Sequence, residues 1–309
     1  MILCLGTTPA AQRVMVFPRL MLDSVNRATT TLDGVAGKAV NIAKVLKALG
    51  EEPVVAGFVG GERGALVHAA LAARKIETEL LTVPSATRQC TTVLDQADGT
   101  VTELVEESQP VPAECYRQLL AGARARLSNC RALILSGTIT PGGPVDFYAQ
   151  CVRMAKAAGC LSLVDARGPL LMEALTAAPD LVKPNRTELA STLDQRLDDD
   201  SAIVRAMQEL HSRGARMVVV TASKLPALAF DGRECWRVHP PQIQPLNPIG
   251  SGDACTAAIA WRLLRGDDLG EACRWGAAAG AANALNLMAG EVDPQEVQRL
   301  AVMVKKERL

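Results

Sequence analysis

Short apolar runs and helix-period segments take turns along most of this chain, and that alternation restricts the fold more than any other feature. Residues 54–59, 132–135, 161–164, 181–183 and 217–221 read as buried strands, and 38–49, 62–75, 113–127, 145–158 and 202–213 as helices. Strands that are apolar at nearly every position need cover on both faces, and intervening helices supply it. The expectation is an α/β fold: a doubly wound, largely parallel sheet flanked by helices. Gly50, Gly159 and Gly214 stand where helix C-caps belong, and Asp293 followed by Pro294 opens the last helix.

Two regions, 13–32 and 88–105, break the alternation. In the second, the β-prone segments 88–94 and 100–105 are joined by Gln96, Ala97, Asp98 and Gly99, a connection with turn chemistry. No helix follows to cover such strands. We therefore expect one domain over residues 1–309 that carries a small β-sheet lid from about 12–33 and 87–106. The bare face of that lid must meet a ligand, a second subunit, or both.

Charge and composition narrow the function. Thirty-three basic residues balance thirty-three acidic ones and aromatics make up 3 %, so neither the electrostatic footprint nor the stacking surface of a nucleic-acid binder is present. Nine scattered cysteines, none in a CxxC pair, suit buried thiols in a reducing cytosol. No run reaches the ~18 apolar residues of a membrane span, and the N-terminal residues do not read as a signal peptide. A cytoplasmic enzyme acting on a small molecule is the expectation.

The most telling local segment is Asn247-Pro248-Ile249-Gly250-Ser251-Gly252-Asp253, which runs into the apolar helix 254–264. Its glycines allow backbone N–H groups to converge at a helix N-terminus, where the macrodipole favours an anion. An aspartate suits that place if it takes a proton from a group attacking the anion. The same residues also describe a tight strand-to-helix turn with Asp253 as a cap. Lys183-Pro184-Asn185-Arg186-Thr187-Glu188 is either a capping box or a hard-oxygen site for Mg²⁺ on a nucleotide, or both. Gly37, Lys38 and Asn41 open a helix that makes a weaker anion site, and Ser136-Gly137-Thr138 follows a strand at the edge where α/β proteins bind ligands. Arg88 begins a lid strand, where a guanidinium can clamp a phosphate. His68, His211 and His239 lie far apart and form no ligand spacing. No GxGxxG follows the first strand, which argues against a dinucleotide-binding oxidoreductase.

Together these segments resemble the ribokinase-like sugar kinases, the phosphofructokinase B family, and within it the branch of 1-phosphofructokinase and tagatose-6-phosphate kinase. The resemblance covers Thr8-Pro9-Ala10, Val25-Asn26-Arg27, residues 36–43, Thr87-Arg88, Ser136-Gly137-Thr138 with Pro141-Gly142, Asp165, 183–188 and 247–253. It implies an ATP-dependent, Mg²⁺-requiring kinase of a phosphorylated ketohexose, of the fructose-1-phosphate or tagatose-6-phosphate type, that pairs as a homodimer through its lid. Asp253 would be the general base, and Gly250, Ser251 and Gly252 would offer amides to the transferred phosphoryl group. Glu188, Asn185 and Asp165 would order Mg²⁺, while Asn185, Thr221, Ser223, Gly252 and Asn283 would meet the nucleotide. Lys38, Arg88, Ser136, Thr138 and Arg27 would grip the phosphate already on the substrate, with Gly37 beside it and Asn41 on the sugar.

Three departures from the family pattern stand out. Gln12 occupies the place of the usual sugar-binding aspartate; Ala36-Gly37-Lys38-Ala39 replaces a glycine-richer run; and the nucleotide loop reads Thr221-Ala222-Ser223-Lys224-Leu225-Pro226. Within the same class the alternative is a kinase of an unphosphorylated sugar or nucleoside; from another class, the departures at Gln12 and 221–226 suit a non-catalytic sugar-phosphate sensor, against which the intact Gly250 to Asp253 turn stands.

Overall fold

In the computed structural model, which describes residues 1–309, fourteen strands and ten helices follow one another. The strands are β1 (Ile2–Leu5), β2 (Ala10–Phe17), β3 (Thr30–Ala36), β4 (Pro53–Val59), β5 (Glu77–Thr82), β6 (Arg88–Asp95), β7 (Thr100–Val105), β8 (Ala132–Ser136), β9 (Leu161–Asp165), β10 (Leu181–Val182), β11 (Met217–Ala222), β12 (Leu225–Phe230), β13 (Cys235–His239) and β14 (Lys305–Arg308). The helices are α1 (Lys38–Ala48), α2 (Gly61–Ala73), α3 (Ala113–Leu127), α4 (Phe147–Ala157), α5 (Gly168–Leu175), α6 (Arg186–Leu193), α7 (Asp200–Ser212), α8 (Ser251–Leu263), α9 (Leu269–Ala284) and α10 (Pro294–Met303).

Ten strands form one sheet in the order β14-β13-β12-β11-β10-β9-β8-β1-β4-β5. Every pairing from β5 through β11 is parallel, and the pairings from β11 to β14 are antiparallel. Strand β1 shows why both faces need helices. Ile2 and Cys4 join one apolar layer with residues of α1, α8, α9 and α10, while Leu3 and Leu5 join the other with residues of α3, α4, α5 and α7. Successive side chains point to opposite faces, so a four-residue strand with no polar position is buried twice over.

After β1 the chain builds β4 and β5 on one side, then crosses to β8 on the other. The sheet therefore changes winding direction between β1 and β8, and the carboxyl ends of the strands there leave a crevice. Gly6 to Thr8, Ser136, Asp165 and Lys183 all lie just at or beyond those ends. The second sheet, ordered β3-β2-β6-β7, has four strands from the two segments that broke the alternation. Val14, Val16 and Leu94 on its inner face pack against Leu287 and Met288, in the connection after α9.

The periodicity left β5, β12, β13 and β14 unmarked. Strand β14 is Lys-Lys-Glu-Arg, exposed throughout, and closes one edge of the large sheet with charge rather than apolar surface. The strand expected at 181–183 ends at Val182, and Lys183 turns into the crevice instead. No helix is long and apolar enough to cross a membrane, and all nine cysteines are unpaired.

Candidate active site

Gly250 is the N-cap of α8, with φ 84° in the left-handed region. A side chain there would also collide, since an added Cβ would lie 2.8 Å from the Cβ of Ala289 and 3.2 Å from the nitrogen of Gly290. Two buried asparagines hold the turn. Asn247 accepts from the Ile249 amide at 3.0 Å and donates to the Leu287 carbonyl at 2.7 Å. Asn283 donates to the Ile249 carbonyl at 2.9 Å and accepts from the Gly290 amide at 2.7 Å, so its side chain is spent on protein contacts. The Ser251 amide donates to the Pro248 carbonyl at 3.2 Å, whereas the amides of Gly252 and Asp253 have no acceptor within the protein. Two free donors at a helix N-terminus are an anion site.

Asp253 sits on that first turn, 6 % exposed. Its Oδ2 accepts from the Asn41 side-chain nitrogen at 2.8 Å. Burial pushes its pKa up to about 6, the neighbouring Asp165 adds to the rise, and the ammonium of Lys38 opposes it. Lys38 donates to Asp165 Oδ1 at 2.9 Å and lies 3.9 Å from Glu188 Oε1. Burial works against its charge, yet Asp165, Asp253 and Glu188 outweigh that and hold Lys38 above the ordinary lysine range.

Asp165 is the hub of this cluster. Its Oδ2 takes the Lys183 ammonium at 3.1 Å and the Thr256 hydroxyl at 2.8 Å. Although burial favours the neutral acid, Lys183 and Lys38 hold the carboxyl well below the usual carboxylate range. Lys183 and Thr256 had no assigned role in the sequence reading. The only local signals were a lysine ending an apolar strand before Pro184 and a threonine three residues past Asp253 on the same helix.

Asn185 and Glu188 form a reciprocal capping box: the Asn185 side chain accepts from the Glu188 amide at 2.8 Å, and Glu188 Oε2 accepts from the Asn185 amide at 2.9 Å. Glu188 Oε1 is the less engaged carboxylate oxygen: it accepts no hydrogen bond and meets only the Lys38 ammonium, at 3.9 Å, whereas both oxygens of Asp165 are held by cations, at 2.9 and 3.1 Å. No group of three or more metal-ligating side chains gathers anywhere in the chain. Magnesium usually keeps several waters and takes one or two carboxylates together with substrate phosphates, which one loosely paired oxygen on Glu188 fits. Thr221 lies beside Asn185 through an isolated parallel bridge, and Ser223, φ 54°, occupies the exposed turn between β11 and β12.

At the other end of the crevice Gly37 has φ 107°, and a Cβ on it would lie 2.9 Å from Pro9 Cα. Only glycine lets α1 start there and place Lys38 and Asn41 in its first turn. Two shallow clefts adjoin at Thr8 and Pro9, the first reaching Arg88 and Thr87, the second Lys38 and Ser136. Arg88 donates to the Thr8 carbonyl at 3.2 Å. Both side-chain polar atoms of Gln12, the Asn41 oxygen, the Ser136 hydroxyl and Arg88 Nε are buried without a partner. Buried polar groups are nearly always satisfied, so several unmet ones around one crevice point to a polar ligand. Thr138 is exposed, its carbonyl taking the Thr7 hydroxyl at 3.1 Å, and Arg27 is exposed in the connection between β2 and β3.

This chain is similar over nearly its whole length to kinases of sugar phosphates. It is 26 % identical over 303 residues to a tagatose-6-phosphate kinase of Staphylococcus epidermidis, covering 97 % of each chain. It superposes on phosphofructokinase-2 from Escherichia coli in complex with fructose-6-phosphate with a TM-score of 0.86 at 26 % identity, covering 97 % of this chain and 98 % of the other. A possible 1-phosphofructokinase from Thermotoga maritima shares the fold with a TM-score of 0.92 at 22 % identity, covering 100 % and 99 %. Residues 1–295 match the pattern of the pfkB family carbohydrate kinases. A match of that extent, on a ribokinase-like fold whose crevice gathers a buried carboxylate and an open helix N-terminus, makes the chain a member of the pfkB family and a carbohydrate kinase.

Proposed function

We propose that this kinase transfers the γ-phosphoryl group of ATP to a hydroxyl of a phosphorylated ketohexose, of the fructose-1-phosphate or tagatose-6-phosphate type, with Asp253 as general base. One observation carries the reading: a buried carboxylate whose pKa lies about 6 stands beside two unengaged amides, its own and that of Gly252. Near neutral pH such a group is ionised yet basic enough to take an alcohol proton. The substrate oxygen then bonds to the γ-phosphorus as the bond to ADP breaks, and the charge on the transferred group falls on the amides and on Lys38.

The phosphate already on the sugar is met by Arg88 and Ser136, both carrying unmet buried polar atoms, while Asn41 and Gln12 take hydroxyls. Glu188 would hold Mg²⁺, and the ion would supply charge neutralisation on the nucleotide phosphates. The names of the relatives support a phosphosugar over a free sugar.

The small sheet acts as a lid and pairs with a second copy. Met21, Leu22 and Val25 beside it are exposed at 55, 91 and 81 %, apolar surface of the sort that marks an interface. Nine unpaired thiols are in keeping with action in the cytoplasm. ADP release, measured with ATP, Mg²⁺ and a panel of sugars and their phosphates, tests the substrate. Turnover is expected on ketohexose phosphates, and its absence on every phosphosugar rejects the reading.

A further inference from the structure

Gln12 is 2 % exposed and neither its side-chain oxygen nor its nitrogen finds a partner. Thr92, on the neighbouring strand of the small sheet, is fully buried and its hydroxyl is equally unmet. Burying such groups costs free energy unless a ligand satisfies them.

Strand register places them together. Across the parallel β2–β6 ladder Gln12 pairs with Cys90 and Val14 with Thr92, and across β6–β7 Thr92 pairs with Glu103. Positions two apart on a strand share a face, as do directly paired residues. Gln12, Arg88, Thr92 and Glu103 therefore look the same way, toward the side on which Val14, Val16 and Leu94 cover Leu287 and Met288. The Leu287 carbonyl is the group that holds Asn247, the first residue of the phosphoryl-transfer turn. Glu103 stands at the solvent edge of this row. Although Glu103 is exposed, partial desolvation by the sheet raises its carboxyl above the ordinary range, and the guanidinium of Arg88 opposes the rise, which puts the two within electrostatic reach.

We infer that Thr92 and Glu103 are specificity-determining residues that, with Gln12, bind the hydroxyls along the carbon chain of the sugar. The inference rests on the phosphosugar reading above. Gln12 is neutral and offers one donor-bearing and one accepting end; Glu103 is an acceptor only and supplies the carboxylate that position 12 lacks. The pair of charges also sets direction. Arg88 draws the substrate's phosphate to one end of the row, and Glu103 repels it from the other, so the sugar enters in one orientation.

Steady-state kinetics on wild type, Glu103→Gln, Thr92→Val and Thr102→Val test this, with the best phosphosugar and its deoxy analogues. Thr102 pairs with Val93 and lies on the opposite face, so its variant is the control. Glu103→Gln is expected to raise the phosphosugar KM about 10- to 100-fold, the range of a hydrogen bond to a charged group, with the ATP KM unchanged. On the analogue lacking the hydroxyl that Glu103 reads, the same substitution has little left to remove. An unchanged KM, or an equal loss on every deoxy analogue, overturns the inference. A wild type that phosphorylates no phosphosugar overturns the substrate reading as well, whereas an active wild type with an indifferent Glu103→Gln overturns this inference alone.

Discussion

Asn41 and Asp253, 212 positions apart, are joined by a 2.8 Å hydrogen bond between the Asn41 side-chain nitrogen and an Asp253 carboxylate oxygen. The bond ties the first turn of α1 to the first turn of α8 and fixes which carboxylate oxygen stays open to substrate. Asn41 keeps its own side-chain oxygen unbonded in the same buried space. One residue thus orients the proposed base with one atom and keeps the other unbonded, where the proposed substrate would bring a hydroxyl.

Replacing Asp253 by Asn removes the proposed base while keeping shape and the capacity to bond. We expect kcat to fall about 10²- to 10⁴-fold, the range of a positioned general base. Calorimetric binding of the phosphosugar should persist within a few-fold. Loss of binding together with rate, or a kcat within a factor of about ten of wild type, speaks against proton abstraction by this residue.

The pH profile follows from the same burial. The acid limb of kcat/KM should bend at about 6, where Asp253 ionises in the free enzyme, and level off above it. Lys38 lowers that value, so Lys38→Met should move the bend to higher pH. The sign for stability is opposite to that for activity. Because the folded pKa lies above the unfolded one, this carboxyl favours the native state at low pH and disfavours it increasingly as pH rises from about 4 through 6. Asp253→Asn should therefore gain stability over wild type as urea denaturation is moved from pH 4 to pH 7, by on the order of 2–3 kcal/mol. A difference that stays flat across that window would contradict the assigned shift.

Asp165 carries the opposite linkage. Its carboxyl lies below the usual range, so the stability it contributes is present above the unfolded pKa and is lost only in strong acid. Asp165→Asn leaves the buried ammonium of Lys183, 3.1 Å from Oδ2, without a counter-charge. A cost of about 3–5 kcal/mol is expected in urea denaturation at neutral pH. If Asp165→Asn is neutral, the Lys183 ammonium must find solvent or another partner, and the hub role fails.

The centre of the large sheet, β1, β4 and β8 to β11, was legible because its strands are apolar at almost every position, as in the uniformly buried β4; its edge strands β5 and β14 are exposed or charged and carry no such signal. Gly250 and Gly37 were legible because a left-handed backbone at a helix start selects glycine locally. What stayed hidden depends on long-range pairing. Nothing near Thr256 says that its hydroxyl will reach Asp165, 91 positions away. The 88–94 segment read as a strand, yet which face holds Thr92 is decided by its register with β2, and that is not written in either segment alone. The family resemblance set Lys38 beside Arg88 as a grip on the substrate's phosphate. In the fold the ammonium of Lys38 turns to Asp165, toward the reacting end, while Arg88 lines the adjoining cleft at Thr8.

That separation yields the sharpest kinetic contrast. Arg88 touches Thr8 and keeps one buried nitrogen unmet, so it is free to hold a phosphate that does not react. Arg88→Gln should raise the phosphosugar KM by about 10- to 100-fold, as expected for a lost charge-assisted contact, and leave kcat nearly intact. Lys38 sits between the carboxylates of Asp165, Glu188 and Asp253, where the proposed reaction would develop charge only during transfer. Lys38→Met should therefore lower kcat and kcat/KM together by about 10²-fold or more, the size of a lost transition-state contact, with a smaller change in KM. Both constants measured for both variants, on the phosphosugar and on its dephosphorylated counterpart, decide the matter. Only Arg88→Gln should discriminate between the two substrates, and a Lys38→Met that discriminates as strongly returns that ammonium to the substrate's own phosphate.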